Sequence, residues 1–331
     1  REAKSHAPIG GRQRPLVFGQ RWKFAIAYSD GLDSRAVASL CGPAEEVLCI
    51  RVSGNRQRRA NGDSLFDRIP FKVRGSRGRE SSFRSRGFQF AAITAIAAHL
   101  AKIERVVVPE SALGPAFLPP YGVYRDYRNH PAFFRLMEKF LNVLLGGGVR
   151  FEQPRLWSTK ARTLEAFLAL PSRENGHLRS TRSCWQQRSI VNVGGRKQCG
   201  LCAACLLRRM SLHAAGVTEQ DDTYVISDLG APSAAEALAN IASEVDREIM
   251  IEYGTAGVRH FHDLAQMAAW DDGKIRVHVS EVATALGATN DETNKNLRLL
   301  LKQHADEWAA FVTSRGEKSF LLTWLDGGLH D

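Results

Sequence analysis

A chain of 331 residues, 44% apolar and 24% charged, has the composition of an ordinary water-facing globular protein, with room for one large domain or two ordinary ones. Its most apolar stretch, Phe88 to Leu100, contains Gln89 and His99 and is far shorter than the roughly 20 residues a bilayer requires, so a membrane span is excluded. The formal charge of +10 concentrates between Arg51 and Arg86, which leaves polyanion binding, the cradling of a triphosphate and a plain solvated face all open.

Residues 1–21, rich in Gly, Pro, Arg and Gln, form a basic lead-in. The apolar run Phe24-Ala25-Ile26-Ala27-Tyr28 then ends in a polar turn, and a helical pattern follows from Asp33 to Leu40. Val47 to Val52 has strand character, Ser53 to Ser64 reads as loop, and Phe71-Lys72-Val73 as a further strand. A helix from Phe88 to Lys102 leads into the buried strand Arg105 to Pro109. His130 to Leu145 is helical, Arg150 to Gln153 is a strand, and Ser158 to Leu170 is a helix. This rhythm predicts an α/β fold, a doubly wound parallel sheet with its nucleotide site at the carboxyl ends of the strands. Residues 22–182 would form that domain, 183–216 a cysteine segment, and 217–331 a helical region with helical spacing in Ala234 to Tyr253, Phe261 to Trp270 and Leu297 to Val312.

Tyr28-Ser29-Asp30-Gly31-Leu32-Asp33-Ser34 joins the first strand to the first helix. Such a turn aims backbone N–H groups and a helix N-terminus at one point, which suits a phosphate, and Ser29 and Ser34 add hydroxyl donors. Asp33 would orient the loop or hold Mg²⁺. The alternative is an ordinary strand-to-helix turn with Asp33 or Ser34 as the N-cap.

Cys199, Cys202 and Cys205 form two overlapping Cys-x-x-Cys units, and Cys184 lies a short loop upstream. Four thiolates complete the tetrahedral set of structural Zn²⁺; an iron–sulfur cluster is the competing occupant. No leader-like segment opens the sequence, so the cluster is expected to be a metal site in a reducing, cytoplasmic compartment rather than a disulfide framework. Cys41 and Cys49 sit in apolar surroundings, and His177 and His213 are not needed by a site already filled with sulfur.

Through residues 24–216 the chain resembles the QueC-type 7-cyano-7-deazaguanine synthases of the PP-loop (N-type ATP pyrophosphatase, HUP-like) superfamily. Ser29-Asp30-Gly31-Leu32-Asp33-Ser34 matches their Ser-Gly-Gly-x-Asp-Ser loop, with Asp30 in place of a glycine. Phe83 to Phe90 echoes the family's Phe-x-Pro-Gly-Arg-Asn segment and keeps only its Arg, and Val106 to Glu110 matches a strand ending near an acid. Pro154-Arg155-Leu156-Trp157-Ser158-Thr159-Lys160-Ala161 matches Pro-Leu-x-Trp-x-x-Lys-Ala, and Cys184-Trp185 with Cys199 to Arg208 matches the cysteine segment. The Arg84-Ser85-Arg86 and Val108-Pro109-Glu110 segments, and the run from Arg208 to Gly216, look closer still to the QueC-like proteins of anti-phage defence operons (Qat-type).

The resemblance implies an ATP-, Mg²⁺- and Zn²⁺-dependent ligase that adenylates 7-carboxy-7-deazaguanine or a similar carboxylate and passes it to an amine. That amine is ammonia, or belongs to a partner protein of the same operon. It assigns Tyr28 through Ser34 and Glu110 to nucleotide or base binding and Asp33, Lys160 and Arg86 to catalysis, and by analogy a homodimer. Two other readings stand beside it. One is a PP-loop tRNA-modifying enzyme, favoured by the basic segment. The other is a non-enzymatic zinc module binding nucleic acid or protein, for which Val279 to Gly287 and the basic helix after it are weakly helix-turn-helix-like.

Overall fold

The computed structural model describes residues 22–29, 31–53, 67–70, 85–111, 113, 117–119, 125–171, 176–184 and 197–325. In chain order the elements are β1 (Phe24–Ala27), α1 (Leu32–Cys41), β2 (Val47–Ser53), β3 (Asp67–Pro70), α2 (Ser85–Leu100), β4 (Arg105–Val107), α3 (Pro131–Leu145), β5 (Arg150–Glu152), α4 (Lys160–Leu168) and α5 (Gly176–Arg179). They continue with α6 (Ala203–Ala214), α7 (Ala234–Ala237), α8 (Glu244–Gln266), α9 (Asp272–Leu286), α10 (Asn290–Thr313) and α11 (Phe320–Leu325).

The five strands form one parallel sheet in the order β3-β2-β1-β4-β5. β1 lies at its centre, so its residues are covered on both faces. Ala25 packs with Ala91, Ala95, Phe134 and Leu141 of α2 and α3, while Ile26 packs with Val37 of α1 and Val107. That double covering is why the run Phe24 to Tyr28 is apolar throughout rather than alternating. The doubly wound arrangement is as the strand–helix rhythm implies.

The third strand is Asp67–Pro70, whose polar, proline-ended sequence gives no strand signal and suits a sheet edge. Phe71 to Val73, read above as a strand, lie outside the described residues. At the first helix the N-cap is Gly31, and neither Asp33 nor Ser34 takes that role; both sit inside the first turn.

The C-terminal region departs most from its expected spans. The helix expected over Ala234 to Tyr253 stops after Ala237, and α8 starts afresh where Ser243 accepts a hydrogen bond from the Asp246 N–H. α8 then runs on through Gly254 and Gly257, past the Tyr253 end of the expected span. A Cβ on Gly254 would lie 2.6 Å from Leu201, and one on Gly257 would lie 3.0 Å from Ala203. These glycines let α8 press against the cysteine segment. Val279 to Gly287 is the end of α9 and its left-handed Gly287 C-cap. Arg298 of the following α10 is tied to Asp272 and to the Trp270 carbonyl of this same helical bundle.

One core spans the cysteine segment and the helical region. Leu201, Leu206, Met210, Ile226, Met250, Phe261, Leu300, Trp308, Phe320 and Trp324 belong to a single buried cluster, which also takes in Phe117 and Leu156 from the α/β part. Residues 217–325 are thus packed onto the site-bearing half. No helix among the described residues is long and apolar enough to cross a membrane.

Candidate functional site

In the order β3-β2-β1-β4-β5 the chain reverses its direction of winding between β1 and β4, and open α/β sheets bind ligands at that crevice. The turn after β1 and the segment after β4 meet there. Tyr28 leaves the strand with its N–H donating to the Ile50 carbonyl at 2.7 Å, and Ser29 is exposed at the mouth. The Ser29 and Ser34 hydroxyls lie 3.2 Å apart, and the Gly31 N–H donates to Ser34 Oγ at 3.2 Å. The first helical bond of α1 runs from the Arg35 N–H to the Gly31 carbonyl at 3.1 Å. The N–H groups of Leu32, Asp33 and Ser34 therefore precede the helical ladder, at the positive end of the helix dipole.

Not every residue of this loop offers a side chain. Tyr28 is buried among Ile26, Val37, Val47 and Val107, so its ring belongs to the core beneath the loop. Leu32 packs with Ala36, Leu164 and Phe167 between α1 and α4, leaving it only its backbone to contribute. Asp30 lies outside the described residues, and of Arg86 only the backbone, in the first turn of α2, lies within them.

α4 brings the third part. Thr159 caps its N-terminus by accepting from the Arg162 N–H at 3.2 Å, and Lys160 is its first residue. The Lys160 ammonium reaches Asp33 Oδ2 at 2.5 Å, with the lysine side chain 17% and the aspartate 30% exposed. Residues 127 positions apart thus share one mouth.

Glu110, three residues beyond β4, completes the group. As a residue it is half-buried, but its carboxyl end is enclosed. The carboxyl is pushed up from 4.5 to about 7, by burial first and then by the charge of Asp33, against its own backbone N–H, Lys160 and Arg128. Sequence reasoning missed Arg128. Its Nε donates to Asp126 Oδ2 at 2.6 Å and its side chain lies against Gly87 of α2, so a loop residue with no motif supplies positive charge to the Glu110 carboxyl.

Between pH 4.5 and about 7 the folded chain holds a proton on Glu110 that the unfolded chain has lost. The group therefore stabilises the fold at low pH, and that contribution disappears as pH rises through about 7. Relative to Glu110→Gln, the wild-type unfolding free energy is expected to fall by roughly 3 kcal/mol between about pH 4 and about pH 8. Urea unfolding of both proteins at the two pH values measures it, and parallel curves would show that the carboxyl is not enclosed.

The four cysteines form a second centre. The sulfurs of Cys184, Cys199, Cys202 and Cys205 all lie within 4.8 Å of one another, and Cys199 and Cys205 are 3.7 Å apart. Zn–S bonds of about 2.3 Å in a tetrahedron place sulfurs about 3.8 Å apart, so the donor set fits Zn²⁺. Backbone N–H groups of Cys199, Leu201 and Cys202 donate to sulfurs at 3.2–3.4 Å, and hydrogen bonds from Cys199, then Cys202 and Cys205, push the Cys184 thiol down.

Local backbone makes this cage. Gly200 has φ of +92°, and a Cβ there would sit 2.3 Å from the Ile226 carbonyl, so only glycine can turn the chain between Cys199 and Cys202. Cys202 is the N-cap of α6, which projects Cys205 one turn on. Two arginines of the Leu-Leu-Arg-Arg run act as ties. Arg208, fully buried, donates to Glu219, to Thr181 and to the Leu178 carbonyl. Arg209 donates to the Gly200, Ile226 and Ser227 carbonyls. His213 stacks edge-on to Phe311, away from any ligand role in this centre.

Cys41 bears on the tRNA-thiolating alternative. Burial pushes its thiol up to about 11, which makes it a poor nucleophile. The basic residues 54–66 and 71–84 that favoured nucleic acid lie outside the described residues.

Residues 85–216 match a family model described as queuosine biosynthesis protein QueC. The matched stretch runs from α2 to the end of the cysteine segment and includes Glu110, Lys160 and all four cysteines; Asp33 and the turn between β1 and α1 precede it. No curated protein matches the chain. Over its middle, then, the chain is similar to the QueC family, and that segment sits in a parallel α/β fold of the kind ATP-using PP-loop synthases have.

Proposed function

We propose that the protein adenylates a carboxylate of the 7-carboxy-7-deazaguanine type and then passes the acyl group to an amine. The observation that carries this reading is the meeting of Lys160 with Asp33 on the first turn of α1, at the crevice where the sheet reverses its winding. A carboxylate oxygen attacks the α-phosphorus of ATP, the bond to the β-phosphate breaks, and pyrophosphate leaves with the electron pair. The amine nitrogen then adds to the acyl carbon, AMP departs, and the amine gives up a proton.

The N–H groups at the start of α1, with Ser29 and Ser34, suit the departing pyrophosphate. Lys160 neutralises charge that develops as the bond breaks, the interaction that lowers such a barrier most. Mg²⁺, when bound, would neutralise phosphate oxygens, and Asp33 is the carboxylate placed to hold it. Glu110, enclosed and partly protonated near neutrality, suits the N–H edge of a purine-like base. Zn²⁺ in the cysteine cage would be structural, since four thiolates leave it no open position.

The helical region extends the reading, because ammonia as the acceptor would need no such surface. A protein amine from a defence-operon partner is the acceptor we favour, in a cytoplasmic setting. The test is incubation with ATP, Mg²⁺ and 7-carboxy-7-deazaguanine, with mass spectrometry of the small molecules and of a co-expressed partner. Formation of AMP with a modified acid or partner supports it. Unchanged ATP across deazaguanine and other carboxylates overturns it.

A further inference from the structure

Among the polar contacts that join the C-terminal region to the site-bearing half, the one between Thr159 and Glu307 is buried. Glu307 of α10 is buried, 4% exposed, and its Oε1 receives the Thr159 hydroxyl at 2.6 Å and the Gln303 side-chain amide at 2.9 Å. Thr159 is the N-cap of α4, and the next residue is Lys160. A threonine hydroxyl has one proton. Its oxygen already accepts the capping N–H of Arg162, so the proton is free to go to the carboxylate. The 2.6 Å separation is that of a charge-assisted O–H···O⁻ bond. Arg162 is held from the same helix, donating to Gln303 Oε1 at 3.2 Å.

A neutral amide would satisfy the same hydroxyl at a lower desolvation cost than a buried carboxylate. Glu307 Oε2 has no hydrogen-bond partner among the described residues, so the whole carboxylate is committed through one oxygen. Burial pushes the Glu307 carboxyl up, while the hydrogen bonds from Thr159 and Gln303 pull it down; it lies at the N-terminus of α4, where the helix dipole favours its ionised form. The chain of contacts runs from Glu307 to Thr159, across one peptide unit to Lys160, and on to Asp33.

We infer that Glu307 is a positioning residue for the active site: through Thr159 it fixes the start of α4 and thereby where the Lys160 ammonium stands over the phosphate loop. This rests on the activation role given to Lys160 above. It also assigns the helical region a part in the chemistry, because α10 holds the lysine's helix from behind.

The test compares Glu307→Leu, Thr159→Val, Thr159→Ser and Lys160→Met in the whole chain. It reads ATP–pyrophosphate exchange together with the Lys160–Asp33 distance in crystals of each folded variant. Glu307→Leu and Thr159→Val, which remove the acceptor and the donor, should lower kcat by about ten- to a hundred-fold, as displacement of a charge-stabilising group does, while KM for ATP moves by less than about three-fold. Thr159→Ser, which keeps cap and donor, should retain wild-type kcat. Wild-type kcat and an unmoved Lys160 in Glu307→Leu and Thr159→Val would overturn the inference, as would an equal loss in Thr159→Ser. If Glu307→Leu fails to fold, the contrast between serine and valine at 159 decides. Full exchange in Lys160→Met would remove the activation role instead, and the distance in the crystals would still judge the positioning.

Discussion

Serine at position 205 is expected to leave the protein unable to fold through its middle and C-terminal regions. Cys205 is fully buried beside Cys199 and Cys202, and all three lie in the core that extends through Phe261 and Trp308 to Trp324. A structural Zn²⁺ site contributes on the order of 10 kcal/mol or more of folding free energy, against a net stability of about 5–15 kcal/mol for a whole domain. Losing one of four ligands therefore removes as much as the fold has to spare, and it leaves a polar hydroxyl among apolar side chains. The consequence should reach α8 and α10 as well as the cysteine segment, because they share that core. Metal analysis should find about one zinc per wild-type chain and far less in Cys205→Ser, with the cooperative unfolding transition lost. A variant that keeps its metal and its transition would mean the cage is not a structural centre. Iron and sulfide in protein purified without oxygen would assign the cage to a cluster instead.

The second large effect is on chemistry with the fold intact. Asp33→Asn and Lys160→Met should each lower ATP–pyrophosphate exchange by roughly 10²- to 10³-fold, the usual cost of deleting a preorganised charge at a site of developing charge. Their effect on stability should be small, because the pair is partly exposed and ion pairs in that setting contribute about 1 kcal/mol or less. The cluster offers a second readout that needs no substrate. Asp33 holds the Glu110 midpoint up and Lys160 holds it down. Asp33→Asn should therefore move the Glu110 titration below its wild-type value of about 7, and Lys160→Met should move it above. Carboxyl NMR of the three proteins measures this. Shifts of the same sign, or none, would show that the three groups do not share one site, whatever the activity.

The parts of the molecule differ sharply in how well they could be read in advance. β1, β2 and β4 were legible because a strand covered on both faces must be apolar where it is covered, as Phe24 to Tyr28 and Val106 to Val108 are. β3 was not, because an edge strand such as Asp-Arg-Ile-Pro has no such requirement. Gly254 and Gly257 show the opposite case, in which packing decides against local propensity. In isolation each costs a helix stability, but α8 keeps them because Leu201 and Ala203 occupy the space a side chain would need. Arg128 and Glu307 carried no signal at all. Each draws its importance from a partner distant in sequence, the Glu110 carboxyl in one case and the Thr159 hydroxyl in the other.

Short-range chemistry was enough to establish the cysteine cage and the phosphate-loop candidate. Three thiols within seven residues, and a Ser-Asp-Gly turn between an apolar strand and a helix, are written in neighbouring positions and need no long-range contact to be recognised. Folding alone brings Lys160 onto Asp33 across 127 residues and Glu307 onto Thr159 across 148. Those meetings depend on which helix faces pack together. Packing is settled by the sum of many weak apolar contacts over the whole chain, a sum that no local motif records.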